Sequence, residues 1–329
     1  MITIIGSLNY DLVTYTKRVP DGGETIQADS FEKHLGGKGL NEALACARLR
    51  KSKSTDVRMV GNVGDDSFGN ELKDALVEAK VDTSNVAVLE GELSGVATIL
   101  VELSGENRIL IIAGANGRLK PEPADFERIF PAGSDSDDGK EFVVLQNEFP
   151  YTVQSILWLK RERPGINIAY NPSPFAAELI SEANMAKIDL LIVNEGEARA
   201  IANEVLDKSV LPHGQVEGIE FYSALALKLQ QVICQTNVCT VIITLGSKGC
   251  VYSIKLREKV QYEPAVSVTD VLDTTGAGDT FFGGIVLQLA EGKYIEEAVK
   301  FATVASSLAI QKRGAAESIP VYEDVVKAM

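Results

Sequence analysis

Asp273-Thr274-Thr275-Gly276-Ala277-Gly278-Asp279-Thr280 sets two glycines and a carboxylate at the threshold of an apolar run of helical length, Phe281 to Ala290. With no bulky side chain at the turn, Gly276, Ala277 and Gly278 can bring their N–H groups against a ligand. The first turn of a helix adds unpaired N–H groups and the positive end of its dipole. A carboxylate at Asp279 would repel a phosphate resting there. It makes sense as a general base that takes a proton from an attacking hydroxyl while the N–H groups hold the developing charge. The chemistry indicated is phosphoryl transfer to an alcohol; the plain alternative is a helix cap after a glycine turn.

Five further clusters have the polar and glycine content of a ligand site. Gly36-Gly37-Lys38-Gly39-Leu40-Asn41 opens a helical run carrying Ala43, Leu44, Ala47 and Leu49. Its glycines let the backbone lie against a ligand within reach of Lys38 and Asn41. It is not a P-loop, because the earlier glycine and the Ser/Thr after the lysine are missing. Gly6-Ser7-Leu8-Asn9-Tyr10-Asp11 follows a short apolar strand and lacks the dinucleotide fingerprint. Asn9 and Asp11 sit instead just past a strand end, where open α/β sheets bind ligands, or in a polar turn. Glu148 follows another strand. Asn194 and Glu197 share one face of a helix start, which suits a hydrated Mg²⁺ and equally an N-cap asparagine with glutamate at N3. Thr244-Leu245-Gly246-Ser247-Lys248-Gly249 joins a hydroxyl to two glycines after an apolar strand, a place for backbone contact with a nucleotide.

An alternation of strands and helices must position these clusters. Strands are expected at 2–5, 57–61, 142–146, 166–170, 188–193, 239–244 and 249–254, with helical stretches between. Val266 to Leu272 reads as a strand-like run feeding the glycine turn, and 295–311 as the last long helix. This order predicts a parallel sheet wrapped by helices, which gathers strand ends on one rim so that the six clusters can meet. Thr25 to Phe31, Gly95 to Glu102 and Arg108 to Ile112 read as strands of a small separate layer; the last two form a hairpin around Ser104-Gly105-Glu106. The expectation is one domain over 1–329, with lid strands contributed by about 12–35 and 94–113. Such a layer leaves an edge or face that self-association would cover. Residues 203–219 read as a surface insertion and 133–140 as a solvated acidic loop.

Lys and Arg total 32 against 46 Asp and Glu, a net charge of −14, which argues against nucleic-acid or anionic-membrane partners. Hydrophobic content of 45% and a mean hydropathy of +0.05 are those of a globular protein. Cys46, Cys234, Cys239 and Cys250 lack CxxC spacing and read as buried thiols in a reducing compartment. His34 and His213 offer neither a zinc pattern nor a Ser/His relay. The chain starts directly in a strand, and no run approaches the ~20 apolar residues of a membrane span. A cytoplasmic location is expected, with the nucleus as a second compartment.

Taken in order and spacing, Gly36-Gly37-Lys38-Gly39-x-Asn41 and Asp273 to Asp279 resemble the two signatures of the ribokinase-type sugar kinases, the pfkB family. Gly6-Ser-x-Asn-x-Asp11, Asn116 in Ala113-Gly-Ala-Asn, Asn194-x-x-Glu197 and Thr244-x-Gly-x-x-Gly249 resemble further landmarks, and the match runs from residue 4 to about 320. The resemblance implies a three-layer α/β sandwich, with helices on both faces of a mostly parallel sheet, and a β lid that forms a homodimer. It implies ATP-dependent phosphorylation of D-ribose at the 5-hydroxyl. The sugar would be held by Asn9, Asp11, Gly36, Gly37, Lys38, Asn41 and Glu148, with Asp279 as base and Gly276, Ala277 and Gly278 as the anion hole. ATP would lie along Asn194, Thr244, Leu245, Gly246, Ser247, Lys248, Gly249, Gly278 and Thr303, its Mg²⁺ organised through water by Asn194 and Glu197. A K⁺ site beside the turn would use Asp273, Thr275, Ala309, Lys312, Gly314 and Ser318, several through backbone carbonyls. Two readings compete. A sister kinase acting on a nucleoside would need an apolar or aromatic slot, and only 6% of the chain is aromatic. A catalytically silent sugar sensor would need neither Asp279 nor the glycine turn.

Overall fold

The computed structural model describes residues 1–329 apart from 52–54, 105, 134–138, 208–217, 234–238, 256 and 258. Most of the expected acidic loop and surface insertion therefore lies outside the described residues. The strands are β1 (Ile2–Ile5), β2 (Asn9–Thr16), β3 (Ser30–Gly36), β4 (Val57–Gly64), β5 (Asp82–Leu89), β6 (Gly95–Glu102), β7 (Asn107–Ile112), β8 (Phe142–Gln146), β9 (Asn167–Asn171), β10 (Leu190–Asn194), β11 (Thr240–Thr244), β12 (Cys250–Ile254) and β13 (Gln261–Glu263). The helices are α1 (Lys38–Arg48), α2 (Ser67–Glu78), α3 (Pro123–Ile129), α4 (Thr152–Glu162), α5 (Glu182–Met185), α6 (Glu195–Val205), α7 (Ile219–Ile233), α8 (Ala277–Ala290), α9 (Ile295–Ala309), α10 (Ala315–Ser318) and α11 (Tyr322–Ala328).

Among the described residues, nine strands form one sheet in the order β13-β12-β11-β10-β9-β8-β1-β4-β5. The run from β11 to β5 is parallel, while β12 and β13 return antiparallel. Side chains alternate between two cores, as the pleat dictates. Ile2, Ile4, Val144, Ile192 and Ile242 face one layer with Leu44, Phe282 and Ala302. Ile5, Val143, Leu145, Val193 and Ile243 face the other with Phe126, Trp158, Ile201 and Leu225. Burial on both faces is why these strands read as continuous apolar runs. A second sheet has the order β3-β2-β6-β7.

Helix α8 is buried along nearly all of its length. Gly283 and Gly284 let two neighbours approach it at backbone distance. A Cβ on Gly283 would lie 2.5 Å from the Ala45 Cβ of α1, and one on Gly284 would lie 3.2 Å from the Ala302 Cβ of α9. The first turns of α1 and α8 are brought together in this way.

Several expectations need correction. The strand placed at 25–31 is shifted to β3, because β2 pairs with residues 30–36, Asn9 against Gly36 and Tyr15 against Ser30. Asn9 and Asp11 lie inside β2 rather than in a turn. Val266 to Leu272 forms no strand: Val266, Val271 and Leu272 are exposed, and Leu272 and Asp273 donate their N–H groups to Ile310 O. Strand β5 went unread because its first half, Asp82-Thr-Ser-Asn85, is polar and lies at the sheet edge. The run at 249–254 is a strand, but an antiparallel one. Cys46 and Cys250 are buried free thiols, whereas Cys239 is disulfide-bonded rather than reduced.

The packing at Gly283 has a measurable consequence. Gly283→Val is expected to cost about 1–3 kcal/mol by overpacking, read as a lowered urea midpoint, although valine favours a helix more than glycine does. An unchanged midpoint would mean that α1 and α8 are not held at the distance described.

Candidate active site

The catalytic turn begins with Gly276, the N-cap of α8, at φ 75°. A Cβ there would sit 2.9 Å from the Ala315 Cβ, so the turn requires glycine both for its left-handed backbone and for contact with α10. Asp279, the third residue of α8, is buried. Its Oδ2 accepts from Asn41 Nδ2 at 2.8 Å, and its Oδ1 lies 3.3 Å from Lys38 Nζ. Lys38 N donates to Glu148 Oε2 at 3.0 Å, and the same oxygen accepts from the Ser7 hydroxyl. Ser7, though it stands in the Gly6-Ser-x-Asn-x-Asp11 landmark, was assigned no role from the sequence.

Gly37, the N-cap of α1 at φ 89°, leaves no room for a side chain, since a Cβ would be 2.7 Å from Asn9 N. A Cβ on Gly36 would fall 2.2 Å from Asp11 Oδ2, so that carboxylate packs directly over the glycine. The Asn9 Oδ1 accepts from Asn116 Nδ2 at 2.8 Å, and Asn116 is itself held by Leu8 N and Leu8 O, each at 3.0 Å. The amide nitrogen of Asn9 is thus the end left for a ligand oxygen. Asn9, Asp11, Gly36, Gly37, Lys38, Asn41, Glu148 and Asp279 are brought to one place.

Charges in this corner are coupled. Burial first, then Glu148, Glu317 and Asp279, push the Asp11 carboxyl up to about 7. Burial opposes the charge on Lys38, but Asp279, Glu148, Glu42 and Glu197 outweigh it and hold the ammonium above its ordinary value. Lys38 therefore stays charged.

A cleft continues from Asp279 and Gly278 past Lys38 and Phe282 to Asn171, Asn194, Glu197 and Thr244. Asn194 and Glu197 form a reciprocal capping box: Asn194 Oδ1 accepts from Glu197 N at 2.8 Å, and Glu197 Oε2 accepts from Asn194 N at 3.0 Å. Asn171 braces the same oxygen at 3.3 Å and Ile192 O at 2.9 Å. Asn171 was also missed; its signal is an asparagine closing an apolar strand, as Asn194 does. The Thr244 hydroxyl donates to Val193 O at 3.3 Å. Gly246 to Lys248 form a short 3₁₀ turn, and Gly249, at φ 96°, lies against the backbone of Glu263 to Ala265. The Leu245 side chain belongs to the core, so only its backbone is available. Thr303 lies on α9, its hydroxyl bonded to Val299 O at 2.8 Å.

Beside the turn, Asp273 Oδ1 accepts from Thr275 N and Oγ1 at 2.9 and 2.6 Å, and its Oδ2 accepts from Gly314 N at 3.0 Å. Burial works to raise the Asp273 carboxyl, but these bonds and the charge of His34 hold it below its ordinary value. Lys312 N donates to Ala309 O, and the Ser318 hydroxyl donates to Ala315 O. Residues 309–318 therefore form the wall against which the glycine turn rests.

The model of the pfkB family carbohydrate kinases matches residues 1–321. A Schizosaccharomyces pombe protein named ribokinase is 36% identical over 330 residues, covering 98% of this chain and 96% of its own. A Haemophilus influenzae ribokinase is 31% identical, over 99% and 97% of the two chains. The structure of Arabidopsis thaliana ribokinase complexed with ribose and ATP superposes with a TM-score of 0.80 at 29% identity, over 99% of this chain and 97% of that one.

The Asp11 carboxyl gives a pH dependence of definite sign. Its folded value of about 7 exceeds the ordinary 3.8, so the folded chain keeps a proton that the unfolded chain sheds. Stability then falls as pH rises from about 4 to about 7 and levels off above, by roughly 4 kcal/mol at most. Asp11→Asn should remove this part of the slope. Urea midpoints measured from about pH 4 to about pH 8 should lie closest at the acid end and separate in favour of the variant at the alkaline end. Parallel curves would mean that Asp11 is ionised throughout.

Proposed function

The chain belongs to the pfkB family of carbohydrate kinases, and from that membership we propose that it transfers the terminal phosphoryl group of ATP to the 5-hydroxyl of D-ribose. One observation carries the reading. Asp279 stands at the positive end of α8 between Lys38 and Asn41, where a polar corner rich in carboxylates meets a cleft rich in backbone donors. The near full-length identity to ribokinases from a yeast and a bacterium supports the choice of sugar.

A sugar hydroxyl is a poor nucleophile at neutral pH. With ribose in the corner, Asp11 and Glu148 accept from hydroxyls, while the Asn9 amide nitrogen donates. Asp279 takes the proton of the attacking hydroxyl as the bond to phosphorus forms. The N–H groups of the Gly276–Gly278 turn stabilise the charge on the transferred group, and the Lys38 ammonium keeps the base and the phosphoryl oxygens in one electrostatic frame. Positioning and charge stabilisation supply most of the barrier reduction in such transfers.

ATP brings a divalent metal with it. The fit is chemical: Glu197 Oε2 is occupied by Asn194 and Asn171, and its Oε1 has no hydrogen-bond partner among the described residues, so it is open to a hydrated Mg²⁺. When bound, Mg²⁺ supplies charge neutralisation to the phosphates. For K⁺, we propose the pocket of Asp273, Thr275, Ala309, Lys312, Gly314 and Ser318. Carbonyls, a hydroxyl and one carboxylate at a turn suit a weakly hydrated monovalent cation, which would stiffen the glycine turn rather than touch the substrate. A homodimer through the second sheet is the remaining proposal. It is supported by β7, an edge strand whose Ile109, Leu110, Ile111 and Ile112 are all exposed.

Asp279→Asn should lower kcat for ribose by about 10²–10⁴ with little change in the KM for ribose, followed by coupled ADP release; wild-type turnover in the variant would remove the base assignment. Replacing Na⁺ by K⁺ at fixed ionic strength should raise turnover, and a flat response would remove the cation site. Running the same assay over other pentoses, hexoses and nucleosides tests the substrate itself.

A further inference from the structure

Behind the catalytic corner lies a carboxyl group that the reaction does not use. Glu42, in the first turns of α1, is fully buried. One of its oxygens, Oε2, accepts from the Nε2 of Gln146, the fully buried last residue of β8. Its other oxygen, Oε1, and the Oε1 of Gln146 are both buried and without a partner among the described residues. The Gln146 Oε1 packs over Gly6, in space that a side chain there would fill, since a Cβ on Gly6 would lie 2.1 Å from it. A buried carboxylate with one neutral donor and no cation of its own is costly, and two orphaned acceptors add to that cost. The Lys38 ammonium is engaged with Asp279.

One proton resolves all three difficulties. We propose that Glu42 is an un-ionised carboxylic acid in the working protein, that its proton closes a cyclic acid–amide pair with Gln146, and that this pair positions the first turn of α1 against the end of β8. The Gln146 amide donates to one Glu42 oxygen, the other Glu42 oxygen carries the proton, and that O–H donates back to the Gln146 carbonyl. Nothing is left unpaired and no charge is buried. The tie joins the helix bearing Lys38 and Asn41 to the strand that leads to Glu148, whose carboxylate takes the Lys38 N–H.

Neutrality matters to the reaction as well. Glu42 is four residues beyond Lys38, on the same helix face. Ionised, it would compete with Asp279 for the ammonium and place a second negative charge behind the base; neutral, it leaves Lys38 to Asp279. The groups around it agree. Burial and then the Asp279 charge push the Glu42 carboxyl well above the usual range, with Glu148 in the same direction, while Lys38 and the Gln146 bond pull less strongly the other way. Cys46, farther along α1, is itself held neutral by burial.

The consequence for turnover rests on the kinase reading; the protonation does not. The test is ¹³C NMR of glutamate side-chain carboxyls in the unliganded wild-type protein at about pH 7.5, well above the usual glutamate value. One glutamate resonance should stand at the position of a protonated acid and vanish in Glu42→Gln, or in Glu42→Met should the glutamine variant not fold. If every glutamate resonates as a carboxylate, or if the protonated resonance survives both substitutions, the proposal is wrong and the kinase reading is untouched. For the positioning role, Glu42→Met should raise the ribose KM and lower kcat, and Glu42→Gln, which rebuilds a cyclic pair with Gln146, should recover most of the loss. Equal losses in the two variants would overturn the role while leaving the NMR result standing.

Discussion

The contact of Asp279 with Lys38 and Asn41 holds the site in register. It joins residues 241 and 238 positions apart in the chain, at 3.3 and 2.8 Å. Neither partner is set by local structure. Both depend on how closely α1 lies against α8, and that closeness depends on Gly283, where any side chain would push Ala45 away. A charge pair formed by long-range packing loses its geometry when the packing moves by an ångström. The glycine pair inside an apolar helix is therefore as much a part of the site as the glycines of the turn.

The second sheet depends on the same frame. Asn9 and Asp11 sit on β2, and Gly36 closes β3, so the polar corner and the small sheet share backbone. Strand β3 is tied along its length to the wall of the catalytic turn: Leu35 N donates to Glu317 Oε1 at 3.0 Å, and Arg313 pairs with Glu32 at 2.7 Å. Gly314, between those partners, holds Asp273. The small sheet and the glycine turn are thus braced through one loop.

The sequence was most readable where chemistry and backbone demand the same residue. Gly276 needs a left-handed backbone and a close neighbour, Gly37 likewise, and both stood out. The apolar strands were legible because both faces of the sheet are buried. It was least readable where polarity misled. Val266 to Leu272 alternates like a strand yet lies exposed, because its backbone bonds go to Ile310 rather than to a ladder. The first half of β5 is too polar to announce an edge strand. Asn194 and Glu197 were legible as a pair, with cap and ligand roles left open; the cap is formed, and it orients Glu197 without using its second oxygen. The roles of Ser7 and Asn171 were not legible because each acts through a partner far away in the chain, Glu148 and Glu197 respectively.

Net charge poses the last problem. A chain of −14 must admit ATP, and the sugar corner alone gathers Asp11, Glu148 and Asp279. Global charge is not decisive, since screening at physiological salt confines it to about 8 Å. What counts is the arrangement within that distance. Carboxylates suit a polyol, which offers hydroxyl donors, and two of these have their charge moderated: Asp11 by its raised value, Asp279 by Lys38. On the phosphate side the chain offers backbone N–H groups, a helix end and the ammonium of Lys38. That is enough to orient a nucleotide but not to neutralise it, so cations carried by or beside the nucleotide must supply the rest. Glu197 and Asp279 both line the cleft; in the reaction proposed, Glu197 would steady the hydrated cation and Asp279 would receive the proton.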